Sequence, residues 1–266
     1  MKHILVLALI LALISSCRKS VRDEDRDTKS AQDFALADIC FNDLSNLLTE
    51  VIANESGLRS TGLLECATVT VDTLAFPMTV TIDFGTGCQS TYDGRTRSGI
   101  IYATFTGKYR DSLTVITITP DNYYLNGRKI EGTKIISNKG HNANGNLWYT
   151  IEINDAIITD YTENWTITFE SDRIREWISG EGTSVLTDDL YEISGTMDGT
   201  GRTGNHFTAT TTTDVTVKLD CAWAVSGVIE VQPDNVSPRI IDFGNGSCDN
   251  DATVTVNGFV IDVEMQ

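Results

Sequence analysis

Ile82-Asp83-Phe84-Gly85-Thr86-Gly87-Cys88 closes a run, residues 79–84, in which Thr or Asp alternates with Val, Ile or Phe. Ile241-Asp242-Phe243-Gly244-Asn245-Gly246-Ser247-Cys248 repeats the message near the other end of the chain. Each copy has an upstream cysteine, Cys66 or Cys221, and a proline, Pro77 or Pro238, just before its last strand. Alternation with period two puts apolar side chains on one face of a strand and polar ones on the other. The glycines that follow supply the positive φ a strand-ending turn needs. The two copies therefore read as equivalent strand-and-turn units that bracket a β region.

Between and beyond them the same period continues. Residues 100–106, 113–119, 147–153, 165–169, 207–213, 215–219, 222–231 and 253–263 alternate Thr or a charged residue with Val, Ile, Leu or an aromatic. Such patterning suits an antiparallel sheet with one face in water. Asn126-Gly127 and Asn257-Gly258 fall between runs and are two-residue hairpin signals. The fold class expected is all-β: a large antiparallel sheet, or a β-sandwich meander, preceded by one N-terminal amphipathic helix. That helix is read over residues 31–56, with Ser30 and Asp33 as a capping box, Gly57 as its stop, and Phe34, Ala37, Phe41, Leu44, Leu48 and Val51 at helical spacing. One continuous β domain over 64–266 is favoured over two sandwiches, because no Pro/Ser-rich linker divides it.

The first residues have another character. Met1-Lys2-His3 is followed by an apolar run from Ile4 to Ile14 and then Ser15-Ser16-Cys17. Such a run is too short to cross a bilayer, and the layout is that of a secretory signal, residues 1–16. Ile14-Ser15-Ser16-Cys17 resembles the lipobox of bacterial lipoproteins. The resemblance implies cleavage before Cys17 and lipid on its thiol and new amino terminus. It also implies an outer-membrane location, at the periplasmic or the surface face. Residues 17–30, rich in both signs of charge, are read as a lipidated tether. The whole chain is similar to Bacteroidota-type lipoproteins of uncharacterised activity. Two tripeptides, Asp72-Thr73-Leu74 and Asp111-Ser112-Leu113, resemble the O-glycosylation pattern of secreted proteins from that group.

With Cys17 taken by lipid, the repeat pairs Cys66 with Cys88 and Cys221 with Cys248, leaving Cys40 free on the helix. The formal charge of −17 over 266 residues argues against nucleic acid as a partner. Asp-Phe-Gly is also a kinase tripeptide, but the glycine-rich loop and catalytic loop of that fold are missing. It is likewise similar to the Asp-Phe-Gly-Asp-Gly turn of polycystic-kidney-disease-type β repeats, which implies a strand–turn–strand and no activity. No cofactor is implied. The one cation considered is calcium at Asp242, Asp249 and Asp251, whose oxygens crowd the second turn.

No catalytic residues are singled out, and the reading leans away from an enzyme. Arg173 and Arg175, beside Glu170, Asp172 and Glu176, are read as a paired, solvated strand face. In 147–153 the apolar face is Leu147, Tyr149, Ile151 and Ile153, so Trp148 falls on the other face. Tyr123 and Tyr124 cannot both point inward. Trp148, Tyr123 and Tyr124 are therefore the expected glycan contacts if the protein binds sugar. The function expected is a membrane-anchored, non-enzymatic structural or binding module. Its partners would be the bilayer, through acylated Cys17, and a glycan or an outer-membrane protein. The alternatives are a glycan-binding component of a carbohydrate-uptake system and, behind it, a hydrolase.

Overall fold

The alternating runs join side by side, each to the next in the chain. A computed structural model describes residues 25–55, 62–183 and 185–265. The signal, Cys17 and Gly57 lie outside them. Helix α1 (Lys29–Glu55) is followed by β1 (Thr68–Asp72), β2 (Met78–Asp83), β3 (Cys88–Gln89), β4 (Thr96–Phe105), β5 (Val115–Leu125), β6 (Arg128–His141) and β7 (Leu147–Asp160). The chain continues with β8 (Trp165–Ser179), β9 (Leu190–Thr200), β10 (His206–Lys218), β11 (Ala224–Pro233), β12 (Arg239–Asn245), β13 (Asp251–Val256) and β14 (Phe259–Glu264). They form one 14-stranded sheet in the order β1-β2-β4-β5 through to β14, with β3 paired to β4 alone. All its pairings are antiparallel. The strands join in one sheet rather than in the two of a sandwich.

The helix lies across this sheet. Phe34, Ala37, Cys40, Phe41, Leu44, Leu47, Leu48 and Val51 are buried, while Gln32, Ala35, Asn42, Asn46 and Thr49 face solvent. The sheet has to curve to meet it. From β4 to β12 is eight steps in the strand order, or roughly 38 Å if flat. Yet from Asp27, which precedes the helix and meets β12, to Asp43, which meets β4, the chain spans at most about 28 Å. Phe41 meets Phe169 of β8 edge to face, with ring centroids 5.1 Å apart.

The helix start differs from the expected capping box. Asp27 Oδ1 accepts the Lys29 N–H at 2.8 Å, and the Thr28 carbonyl accepts the Gln32 N–H at 3.0 Å. Asp33 is instead buried and binds Arg202, a contact that sequence spacing cannot foresee. The preceding residues, read as tether, are held down. Buried Arg239 of β12 donates from Nε to the Asp27 carbonyl at 2.9 Å and from Nη2 to Asp25 Oδ1 at 3.0 Å. Asn257, in the β13–β14 turn, donates to the Asp25 carbonyl at 2.8 Å.

Antiparallel order makes turns alternate between two ends of the sheet. The proximal end, where Asp25 is held, carries the connection from β2 to β4 and the β5–β6, β7–β8, β9–β10, β11–β12 and β13–β14 turns. The distal end carries the others. Both Asp-Phe-Gly turns form as expected: Asp83 Oδ1 accepts the Gly85 N–H at 2.7 Å and Asp242 Oδ1 that of Gly244 at 2.9 Å. Gly85 and Gly244 have φ of 55° and 91°. Disulfides join Cys66 to Cys88 and Cys221 to Cys248, and Cys40 is free and buried. Closing chain separations of 22 and 27 residues stabilises by about 3.5 kcal/mol each on chain-entropy grounds. The twin turns sit near the two edges of the sheet but at opposite ends, because an odd number of antiparallel steps separates β2 from β12.

Candidate functional site

At the proximal end the β7–β8 and β9–β10 hairpins stand as two walls over the outer face of β7, β8 and β9. Between them lies a groove of about 570 Å³. Its floor is threonine: Thr159 faces Thr166 across β7 and β8, and Thr168 faces Thr200 across β8 and β9. Strand alternation explains the arrangement. Ile167 and Phe169 point into the core, so Thr166 and Thr168 between them point out.

The walls are fixed by polar contacts. Asp160 Oδ1 accepts the N–H groups of Thr162 and Glu163, each at 2.9 Å, and its Oδ2 lies 3.4 Å from Arg128 Nε. Asn164 has a φ of 57°, the left-handed region that asparagine tolerates at a hairpin tip. Trp165 donates from Nε1 to Glu163 at 2.8 Å. The guanidinium carbons of Arg128, at the start of β6, and Arg202, in the β9–β10 turn, lie 5.7 and 5.4 Å from its ring centroid. Arg202 in turn binds the buried Asp33 through its backbone N–H, at 2.9 Å, and its Nε. Gly201 completes the fit, since a Cβ there would meet Asp33 Oδ2 at 2.3 Å. Tyr161, 64% exposed, stands at the mouth.

The aromatic residues expected to contact a glycan are not brought together. Tyr123 is fully buried and donates its hydroxyl to Asp43 at 2.6 Å. It belongs to the core and is corrected as a surface contact. Tyr124 is half-buried beside Thr86, Gly87 and Gly127, in a hollow of about 270 Å³ at the proximal end. Trp148 is half-buried at the distal end of β7, opposite Glu176. The calcium alternative does not assemble either. Among the described residues no group of three or more His, Cys, Asp or Glu side chains is placed to hold a metal. Asp242 and Asp249 close their own turns, on Gly244 and Asp251.

Arg173 and Arg175 are a second correction. They point inward, and Glu170 and Asp172 outward. Arg173 binds Asp38 of the helix at 2.5 Å. Arg175 lies among the rings of Tyr109, Tyr149 and Tyr191, 5.7, 5.0 and 5.2 Å from their centroids, and donates to the Tyr109 hydroxyl. This cation–aromatic cluster, with Trp177 against Tyr191 at 5.2 Å, closes the distal end.

Two further buried cations sit under the helix. Arg97 is 1% exposed and grips two carboxylates, with Nε and Nη2 donating to Asp43 at 3.1 and 2.5 Å and Nη1 and Nη2 to Asp93 at 3.1 and 2.6 Å. Burial alone would lower its pKa, and the hydrogen bonds to Asp43 and Asp93 more than reverse that. Lys134 is 2% exposed and, among the described residues, donates only to the Phe41 carbonyl, at 3.0 Å. Burial pushes its amine down to about 7, and Arg173 and Arg175 add to the shift against the opposing charge of Asp38.

The groove residues Tyr161, Asn164 and Arg202 escaped the sequence reading. A signal was there: Asp160-Tyr161-Thr162-Glu163-Asn164 is a polar turn carrying one bare aromatic residue between two clean strands. Comparison with protein families, curated proteins and solved structures finds no match for this chain.

Proposed function

We propose that this chain is a lipid-anchored binding module of the outer membrane or cell surface, held to the bilayer by acylated Cys17. The observation that carries the reading is the fixed root of the tether. Arg239 and Asn257 hold Asp25 and Asp27 against the sheet, and Asp25 stands eight residues after the lipobox cysteine. Eight residues reach at most about 29 Å. An anchor at Cys17 would therefore keep the proximal end, and the groove on it, toward the membrane. The two disulfides suit an oxidising compartment.

The groove supports binding rather than chemistry as the role of this end. Its carboxylate, Asp160, is committed to two backbone N–H groups and Arg128, and its guanidinium, Arg202, to Asp33. The glycan-binding reading is favoured over an outer-membrane protein partner by the threonine floor. O-glycosylation at Thr73 and Ser112 is part of the same proposal. Both residues are exposed on neighbouring distal loops, and the adjacent Leu74 and Leu113 are 97% and 78% exposed.

Growth with labelled palmitate tests the anchor. The native chain is expected to take up label and to fractionate with the outer membrane, and Cys17→Ala to do neither. Label retained by Cys17→Ala would defeat the proposal.

A further inference from the structure

We infer that the groove between the β7–β8 and β9–β10 hairpins binds a neutral saccharide, with a sugar ring on Tyr161 and its hydroxyls on Asn164 and the threonine floor. The inference rests on the glycan-binding reading and narrows its ligand to an uncharged sugar with assigned contacts.

Charge decides against the other polar ligands. A phosphate or carboxylate ligand would need an uncommitted cation, and Arg202 is already bound to a buried carboxylate through its backbone N–H and its Nε. A cationic ligand would need an uncommitted carboxylate. Asp160 is 8% exposed and spends Oδ1 on two backbone N–H groups, with Oδ2 beside Arg128. Displacing either partner leaves a buried charge unpaired, which opposes binding.

What remains for a ligand is neutral. The hydroxyls of Thr166, Thr168 and Thr200 and the amide of Asn164 make no hydrogen bond within the protein among the described residues. Each threonine hydroxyl both donates and accepts, as a sugar hydroxyl does, and the asparagine amide offers one of each. Cross-strand pairing holds the Thr168 and Thr200 side chains at about 5 Å, near the spacing of hydroxyls across a pyranose ring. The aromatic contribution falls to Tyr161, because guanidinium groups approach the ring of Trp165. An exposed tyrosine offers an apolar face with a polar tip, which suits the mixed surface of a sugar. A volume of about 570 Å³ is in the range of small-ligand sites.

The test uses the full lipidated chain in detergent micelles. It is titrated with maltohexaose, cellohexaose, xylohexaose and mannohexaose, and with oligogalacturonate and inorganic phosphate as charged comparators. At least one neutral hexasaccharide is expected to bind with a Kd below 1 mM, about the weak end of specific recognition. Thr168→Arg, which fills the floor from an exposed position, and Tyr161→Ala are each expected to weaken it at least tenfold. Trp148→Ala, at the other end of β7, should leave it unchanged. Melting curves on both groove variants guard against unfolding, and Tyr161→Ala changes a solvent-exposed side chain. The inference falls if no neutral hexasaccharide binds, if binding survives both groove substitutions, or if a charged comparator binds better. Palmitate labelling is a separate readout: a failure here with labelling intact removes the ligand class and leaves the anchored module, and lost labelling does the reverse.

Discussion

Arg97 and Lys134 are both cations buried beneath the same helix, and the protein treats them in opposite ways. Arg97 meets two carboxylates through four hydrogen bonds. Lys134 meets one backbone carbonyl and has two arginines nearby. A guanidinium offers a planar fork that two carboxylates can fill, whereas an ammonium is a compact charge that demands solvation from every side. One site therefore fastens the helix to β4 and β5, and the other strains its seat on β6. Burying a cation does not by itself indicate stabilisation; the partners decide the sign.

The comparison breaks first at Arg97. Arg97→Met leaves the buried Asp43 without its main partner and is expected to destabilise by about 3–5 kcal/mol, read by urea denaturation at neutral pH. A loss under about 1 kcal/mol would mean that water reaches Asp43, and the contrast would fail.

Lys134→Met is expected to act in the opposite direction, stabilising on the order of 3 kcal/mol at pH 6 by removing a charge from an apolar seat. The sign of the pH dependence follows from the lowered amine. Below about pH 7 the amine holds its proton in the folded and the unfolded chain alike, and the burial cost is fully present. Between about 7 and the ordinary 10.5 only the unfolded chain holds it, so stability rises with pH. The advantage of Lys134→Met should therefore shrink from pH 6 to pH 10. An advantage independent of pH would show that the amine is not the source.

Tyr123→Phe removes one hydrogen bond to Asp43 and leaves Arg97 in place. About 1.5–3 kcal/mol is expected, the worth of a bond to a charged group. In an Arg97→Met background the tyrosine should matter more, and additivity would separate the two contacts.

Cys40 reports on all three without a stability measurement. Burial pushes its thiol up to about 12, so at pH 8 it should resist iodoacetamide until the helix lifts. Labelling should speed up in Arg97→Met and slow down in Lys134→Met. Equal rates in native, Arg97→Met and Lys134→Met protein would disconnect these sites from the helix.

Much of this was legible in the residues. Period two places Ile167 and Phe169 inward and Thr166 and Thr168 outward whatever the sheet does, because successive side chains must alternate. The repeated cysteines and Asp-Phe-Gly turns pair locally, so their disulfides could be read from spacing. The groove was harder to see, since its threonines come from three strands and its walls from two hairpins. Tyr161 is marked in the sequence only as an aromatic residue in a polar turn. Tyr123 and Tyr124 show the limit of a local pattern. Alternation says that one of them points inward, and only Asp43, 80 residues earlier, says which.

The sequence by itself determined most of the strands and their faces, the helix and the two disulfides, because each depends on neighbours within one element or one hairpin; β6 and β9 carried no run that was read, and only their neighbours in the sheet define them. Only the tertiary structure decided which charges are buried and with whom. Asp33, Asp38 and Asp43 recur every five residues on a helix that the sequence presents as amphipathic. They are carried under the sheet because Arg202, from the β9–β10 turn, and Arg173 and Arg97, from β8 and β4, meet them there. Curvature of the sheet brings those strands to one helix, and curvature is a sum over many pairings that no single stretch of sequence contains.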